Sequence, residues 1–183
     1  SKKNLYKFDD TKYFKKTFNT INPKNKKIFL KIGKKSITGR LLGKNDKKLI
    51  LDRPTDIRIF NTERKRNVFK KNRKTRILVA THCFTDAVHF YGKCLFADFY
   101  DWLDHLGKLS NKLNYDWYIK FHPAQFENNQ KHFEYFKKKY KKFKILPKET
   151  FNNDIFREKV DAVITVFGSV GHEYPLFGIP VIN

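Results

Sequence analysis

From Arg76 onward the chain alternates between short apolar runs and longer amphipathic stretches, and this alternation narrows the available folds more than any other feature. Ile77-Leu78-Val79-Ala80 is apolar at every position, as a strand covered on both faces requires. Leu95, Phe99, Trp102, Leu103, Leu106, Leu109 and Leu113 then recur at helical intervals, which predicts a core-facing helix. Asp116 to Phe121 reads as a second strand. Glu127 to Phe143 reads as a basic helix with Phe133, Phe136 and Tyr140 on one face. Lys144 to Leu146 is a third strand, Phe151 to Lys159 a short helix, Asp161 to Val166 a fourth strand, and Ile179 to Ile182 opens a fifth. Regular strand–helix alternation implies right-handed crossovers and a parallel sheet. The predicted fold is therefore α/β, a Rossmann-like parallel sheet with flanking helices over residues 75–183.

Residues 1–74 have a different texture. Aromatics from Tyr6 to Phe18 fall at helical spacing. Lys27 to Ile32, Ser36 to Leu42 and Lys48 to Asp52 read as short strands, punctuated by Gly33 and by Lys44 to Asp46. Arg64 to Lys74 reads as a solvated, basic linker. The expectation is a small α+β segment that precedes the sheet domain. The chain holds no Met, and Asn183 follows directly on a strand, so a piece of a longer protein, cut short at its C-terminus, is expected.

The formal net charge is +22, which favours polyanionic partners: nucleic acid, an anionic membrane face, or acidic sugar donors and acceptors. Only eight of the 40 basic residues are Arg, whereas nucleic-acid readers favour its planar fork. Abundant Lys, Asn, Phe, Tyr and Ile also fit A/T-rich coding. Nucleic acid is therefore not the expected partner. Lys137 to Lys142 forms a solvated helix face that can also touch lipid headgroups. Cys83 and Cys94 lack metal or framework spacing and read as free thiols of a reducing cytoplasm. No apolar run reaches bilayer-spanning length, and the expected location is cytoplasmic, at or near the inner membrane face.

In open parallel sheets ligands bind at the carboxyl ends of the strands. Three polar clusters fall there. After the first strand come His82, Asp86 and His89. Their types could ligate a metal, but their spacing matches no metal motif, so no metal and no cofactor are expected. Contact with a donor or acceptor sugar suits them better. After the second strand, Pro123 stops the ladder and holds His122 at the sheet edge, where its ring could donate to a phosphate oxygen or simply bond a carbonyl. After the fourth strand, Gly168-Ser169-Val170-Gly171-His172-Glu173 combines small residues with a helix start suited to an anion. Ser169 is expected to cap that helix. Glu173 suits sugar or ribose hydroxyls, or else merely complements the helix dipole. The glycines match neither a dinucleotide fingerprint nor a P-loop.

With these residues in place, Thr81-His-Cys-Phe-Thr-Asp-Ala-Val-His89, Trp117-Tyr-Ile-Lys-Phe-His-Pro123 and Asp161 to Asn183 resemble bacterial capsule and surface-polysaccharide biosynthesis proteins of GT-B-like form. The middle segment is similar to that family's Lys-x-His-Pro element. The last is similar to its Gly-Ser-x-x-x-Glu segment followed by Gly-x-Pro-Val. The likeness covers about Arg76 to Asn183. It implies a glycosyltransferase, or its C-terminal nucleotide-sugar-binding domain, without metal. It implies that His122, Ser169 and neighbouring amides contact the donor phosphate, that Glu173 holds the ribose, and that Asp86 and His89 face the interdomain cleft as candidate catalytic residues. It leaves the catalytic base unassigned. The implied partners are a nucleotide-sugar donor and a glycan or lipid-linked acceptor. Two other classes stay open: a basic nucleic-acid or polyanion-binding module, and a GT-B-like sugar-nucleotide epimerase or hydrolase.

Overall fold

The computed structural model describes residues 11–41, 67–82, 84, 95–122, 127–147, 150–166 and 168–183. The chain divides into two compact units, Ser1–Asn45 and Asp46–Asn183.

The first unit is helical throughout its described part: α1 spans Thr11–Thr20 and α2 spans Pro23–Leu41. The strands expected at Lys27 to Ile32 and Ser36 to Leu42 are thus one helix, and the expected α+β segment shows only helix among the described residues. The reason lies at its start. The Asn22 side chain accepts the Asn25 N–H at 2.9 Å, and the Asn22 carbonyl accepts the Lys26 N–H at 3.0 Å. Pro23 at the first helical position lacks the N–H that such a start leaves over. This cap and proline nucleate a helix that carries the alternating apolar residues with it. The third expected strand, Lys48 to Asp52, lies outside the described residues.

The second unit is the predicted Rossmann-like parallel sheet with flanking helices. Its strands are β1 (Arg76–Ala80), β2 (Asp116–Lys120), β3 (Phe143–Ile145), β4 (Ala162–Thr165) and β5 (Val181–Ile182). They pair in parallel in the order β3-β2-β1-β4-β5. Helices α3 (Phe99–Lys112), α4 (Glu127–Lys139), α5 (Asn152–Glu158) and α6 (Val170–Glu173) connect them, and a 3-10 turn covers Tyr174–Phe177. Strand periodicity divides the core into two layers. Ile77, Val79, Trp117 and Ile119 face Trp102, Leu103, Leu106, Phe136 and Tyr140 of the α3/α4 side. Leu78, Ala80, Tyr118 and Val163 face Ile155, Tyr174 and Ile179 on the other side.

Helix α3 begins at Phe99 rather than Leu95, because the Asp98 side chain caps it by accepting the Asp101 N–H at 2.7 Å. Leu95 consequently stands 91% exposed and plays no part in the core. Helix α4 ends at Lys139 because Phe143 is taken into β3.

The stretch read as a solvated linker is a packed element in its described part. Phe69 is 3% exposed and stands edge-on to Tyr118 at 4.6 Å between ring centroids. The Glu158 carboxylate accepts the N–H groups of Val68 and Phe69 at 2.6 and 3.0 Å. The Tyr118 hydroxyl accepts the Lys70 N–H at 3.0 Å. Residues 67–74 therefore belong with the sheet, upstream of the boundary expected at 74.

On the α3/α4 side, Asp104 joins the two helices. Its carboxylate accepts from Lys108 at 2.8 Å, Lys139 at 2.7 Å and the Tyr140 hydroxyl at 2.6 Å. These hydrogen bonds, Lys108 first, hold its pKa well below the ordinary carboxylate range. A depressed folded-state pKa stabilises the fold above the unfolded value near 3.9, and that stabilisation drains away as pH falls below it. Both lysines are well exposed, so solvent screens their share. We expect the thermal midpoint of the native chain to fall more steeply between about pH 5 and 3 than that of Asp104→Asn. Parallel acid profiles would remove Asp104 from this role.

Candidate functional site

The strand order changes direction at β1. The strands that follow β1 in the chain, β2 and β3, extend the sheet to one side, whereas β4 and β5 extend it to the other. Such a switch point opens a crevice beyond the carboxyl ends of the central strands. The register aligns those ends, since Ala80 pairs with both Lys120 and Thr165. The Thr81 N–H continues the ladder by donating to the Lys120 carbonyl at 3.0 Å, and the Thr165 hydroxyl donates to the Ala80 carbonyl at 3.0 Å. His82, His122, Val166 and Gly168 follow closely beyond this edge.

The two histidines stack. Their ring centroids lie 5.8 Å apart with planes 24° from parallel, and His82 also stacks on Phe99 at 5.2 Å. Phe99 opens α3, so the helix start fixes His82, and His82 in turn backs His122. His82 is buried and His122 half-buried, which leaves His122 the more accessible ring. Asp86, His89 and Pro123 lie outside the described residues, as do Cys83 and Cys94.

After β4, Gly168 adopts φ 130°, a conformation that favours glycine, and it is exposed. Ser169 makes no side-chain cap on α6, contrary to the expectation. Its φ of −60° and ψ of −24° are already helical, whereas a capping residue is extended. The N–H groups of Gly171, His172 and Glu173 donate to the carbonyls of Gly168 and Ser169 at 2.9–3.2 Å. Those amides close the turn on itself. Val170 and Gly171 are half-buried and His172 is exposed.

Glu173 is 3% exposed, beneath the rim rather than on it. Its carboxylate accepts from Asn152 Nδ2 at 3.2 Å, and Asn152 in turn accepts from the Tyr174 hydroxyl at 3.3 Å. Tyr174 is fully buried, and burial first, then the Glu173 charge, pushes its pKa up. The residue that sequence reading left without a role is Lys120. Strand parity turns it to the same side as Tyr118, the layer that holds Tyr174. Burial pushes its pKa down, and attraction to the Glu173 carboxylate opposes that shift. The Glu173 carboxylate thus acts electrostatically on Lys120, and Asn152 hydrogen-bonds that carboxylate. The signal for Lys120 was a lysine directly after the apolar run Trp117-Tyr118-Ile119. Asn152 gave no signal, because its role depends on α5 crossing over the sheet.

Chemically, the rim offers one accessible imidazole backed by a second, a lysine of shifted acidity below, and an exposed glycine where a ligand can reach the backbone. That assembly suits an anionic ligand with hydroxyl groups. Comparison with family models, with curated proteins and with solved structures found no match to this chain.

Proposed function

We propose that the sheet unit is the donor-binding half of a GT-B-type glycosyltransferase, which takes a sugar from a nucleotide-sugar during surface-polysaccharide synthesis. One observation carries the reading: His82 and His122 stack at the carboxyl edge of the central strands, where a phosphate bound at the switch point would meet them. The Lys120-x-His122-Pro123 and Gly168-Ser169-x-x-x-Glu173 segments support it by their likeness to that family.

In the reaction an acceptor hydroxyl oxygen bonds to the anomeric carbon and gives up its proton to a base, while the bond from that carbon to the phosphate oxygen breaks and the nucleotide leaves with added negative charge. Donors and positive charge placed at that phosphate stabilise the transition state more than the bound donor. His122 donates to the phosphate oxygen, and His82 keeps its ring in position. Lys120 adds a positive potential in its protonated form, which the Glu173 carboxylate favours against burial. The exposed Gly168 lets the nucleotide lie close to the backbone. Glu173, held under the surface by Asn152, organises the site in this account more than it touches the ribose.

A thermal-shift screen with CMP, CDP, UDP and GDP tests the proposal. At a hundredfold excess over Kd, the matching nucleotide is expected to stabilise the chain by about 2.7 kcal/mol. His122→Ala is expected to weaken its binding by roughly ten- to a hundredfold, the worth of a hydrogen bond to a charged group. A flat response to all four nucleotides would overturn the proposal. Salt-dependent DNA binding that survives His122→Ala would favour a polyanion-binding module instead.

A further inference from the structure

The helical unit has its own chemistry, independent of the rim. Residues 11–41 carry ten Lys and Arg and no Asp or Glu. On α1, Lys12, Lys15 and Lys16 fall on one side at 100° per residue, and Tyr13, Phe14 and Phe18 on the other. On α2, Lys24, Lys27, Lys31, Lys34 and Lys35 share one sector, while Ile28, Phe29 and Ile32 occupy the adjacent one. These apolar side chains are not packed into a core. Tyr13 is 45% exposed, Phe14 49%, Phe29 51%, Leu30 59% and Ile32 58%.

A surface of aliphatic and aromatic side chains bordered only by cations has a definite complement. The charge demands an anionic partner, and the exposed Ile, Leu and Phe demand one that also offers an apolar phase. The rest of the chain holds 30 basic and 18 acidic residues, a net of +12, so neither it nor a second copy offers a net-negative complement. Nucleic acid supplies the anions but gives Ile28, Phe29 and Ile32 nothing to enter. A bilayer with anionic headgroups supplies both. No helix among the described residues is long and apolar enough to cross a membrane. The clear separation of lysines from aromatics on α1, and the lysine sector beside Ile28, Phe29 and Ile32 on α2, instead suit helices lying in the interfacial plane.

We infer that the helical unit, residues 11–41, docks on an anionic lipid bilayer, with Phe14, Ile28, Phe29 and Ile32 entering the interface and the flanking lysines meeting the headgroups. Cosedimentation of the full chain with vesicles tests this, using phosphatidylcholine alone or mixed with phosphatidylglycerol. The chain is expected to partition onto the mixed vesicles at least tenfold better than onto neutral ones, with binding that weakens as salt rises. Phe29→Ser combined with Ile32→Ser leaves the charge intact and is expected to reduce partitioning about tenfold or more, through lost apolar burial. Lys137→Gln with Lys138→Gln and Lys141→Gln, at the end of α4 and in the turn after it, is expected to leave most of the binding in place. All five positions are well exposed, so their replacement leaves the core intact, which an unchanged thermal midpoint verifies. Equal binding to neutral and mixed vesicles overturns the inference. Unchanged partitioning of the Phe29/Ile32 variant also overturns it, since adsorption by charge alone would then suffice. Loss of binding in the α4 variant overturns it in favour of that helix. A duplex RNA that displaces the vesicles and binds both the native chain and the Phe29/Ile32 variant equally would assign the unit to nucleic acid.

Discussion

Replacing Phe69 by alanine is expected to destabilise the sheet unit by about 3–5 kcal/mol, the range for deleting a buried aromatic side chain. Phe69 is 3% exposed, stands edge-on to Tyr118, and has the Arg76 guanidinium 5.4 Å from its ring centroid. Its backbone is tied down as well, through the Glu158 carboxylate. Truncation leaves a cavity over the centre of the sheet, and the neighbouring β2 backbone is too constrained by its ladder to close it. Urea unfolding of the full chain, followed by the fluorescence of the core residues Trp102 and Trp117, reads the change. The midpoint should fall while the denaturant slope stays constant. A solvated connector would instead tolerate the replacement to within about 0.5 kcal/mol, and an unmoved midpoint would return residues 67–74 to that status.

Gly107→Leu is expected to cost about 3 kcal/mol, at the upper end of overpacking effects. Gly107 lies in the middle of α3, where alanine would ordinarily be better by about 1 kcal/mol. Here a Cβ would fall within 3 Å of three Tyr140 ring carbons. The ring has little freedom to retreat. Its hydroxyl is held by Asp104 at 2.6 Å, and its face packs between Phe136 and Phe143. Even Gly107→Ala should therefore lower the thermal midpoint, against helix propensity. A raised midpoint for Gly107→Ala would mean that Tyr140 moves aside freely and that the α3/α4 contact is loose.

The sheet was legible because buried parallel strands must be apolar at nearly every position, and Ile77 to Ala80 and Ala162 to Thr165 largely meet that demand. The helix covering them was legible from the spacing of Trp102, Leu103 and Leu106. Its first turn was not, since Leu95 fits the same periodicity while the Asp98 cap decides where the helix starts. The helix expected up to Phe18 is α1, but α2 was misread as strands because Ile28, Leu30 and Ile32 alternate with period two, although Asn22-Pro23 announces a helix. Phe69 stands among basic residues with no periodic companions, so nothing local marked it as core. At the candidate site, strand ends pointed to His82, His122 and Gly168. The depth of Glu173 and its link to Lys120 could not be read from those ends. They depend on strand parity and on which side chains, Asn152 and Tyr174, come to lie over the sheet.

The central position of β1 has a consequence for biosynthesis. Its β2 neighbour follows after one helix, but its β4 neighbour must return from 85 residues downstream, as Ala80 and Thr165 illustrate. A chain emerging in order from the ribosome can close the β1–α3–β2–α4 half early. One edge of β1 and the underside of Leu78 and Tyr118 then wait, uncovered, until the remaining strands are made. Closing so distant a pairing is slow, and apolar surface exposed in the interval invites association with other chains or capture by a chaperone.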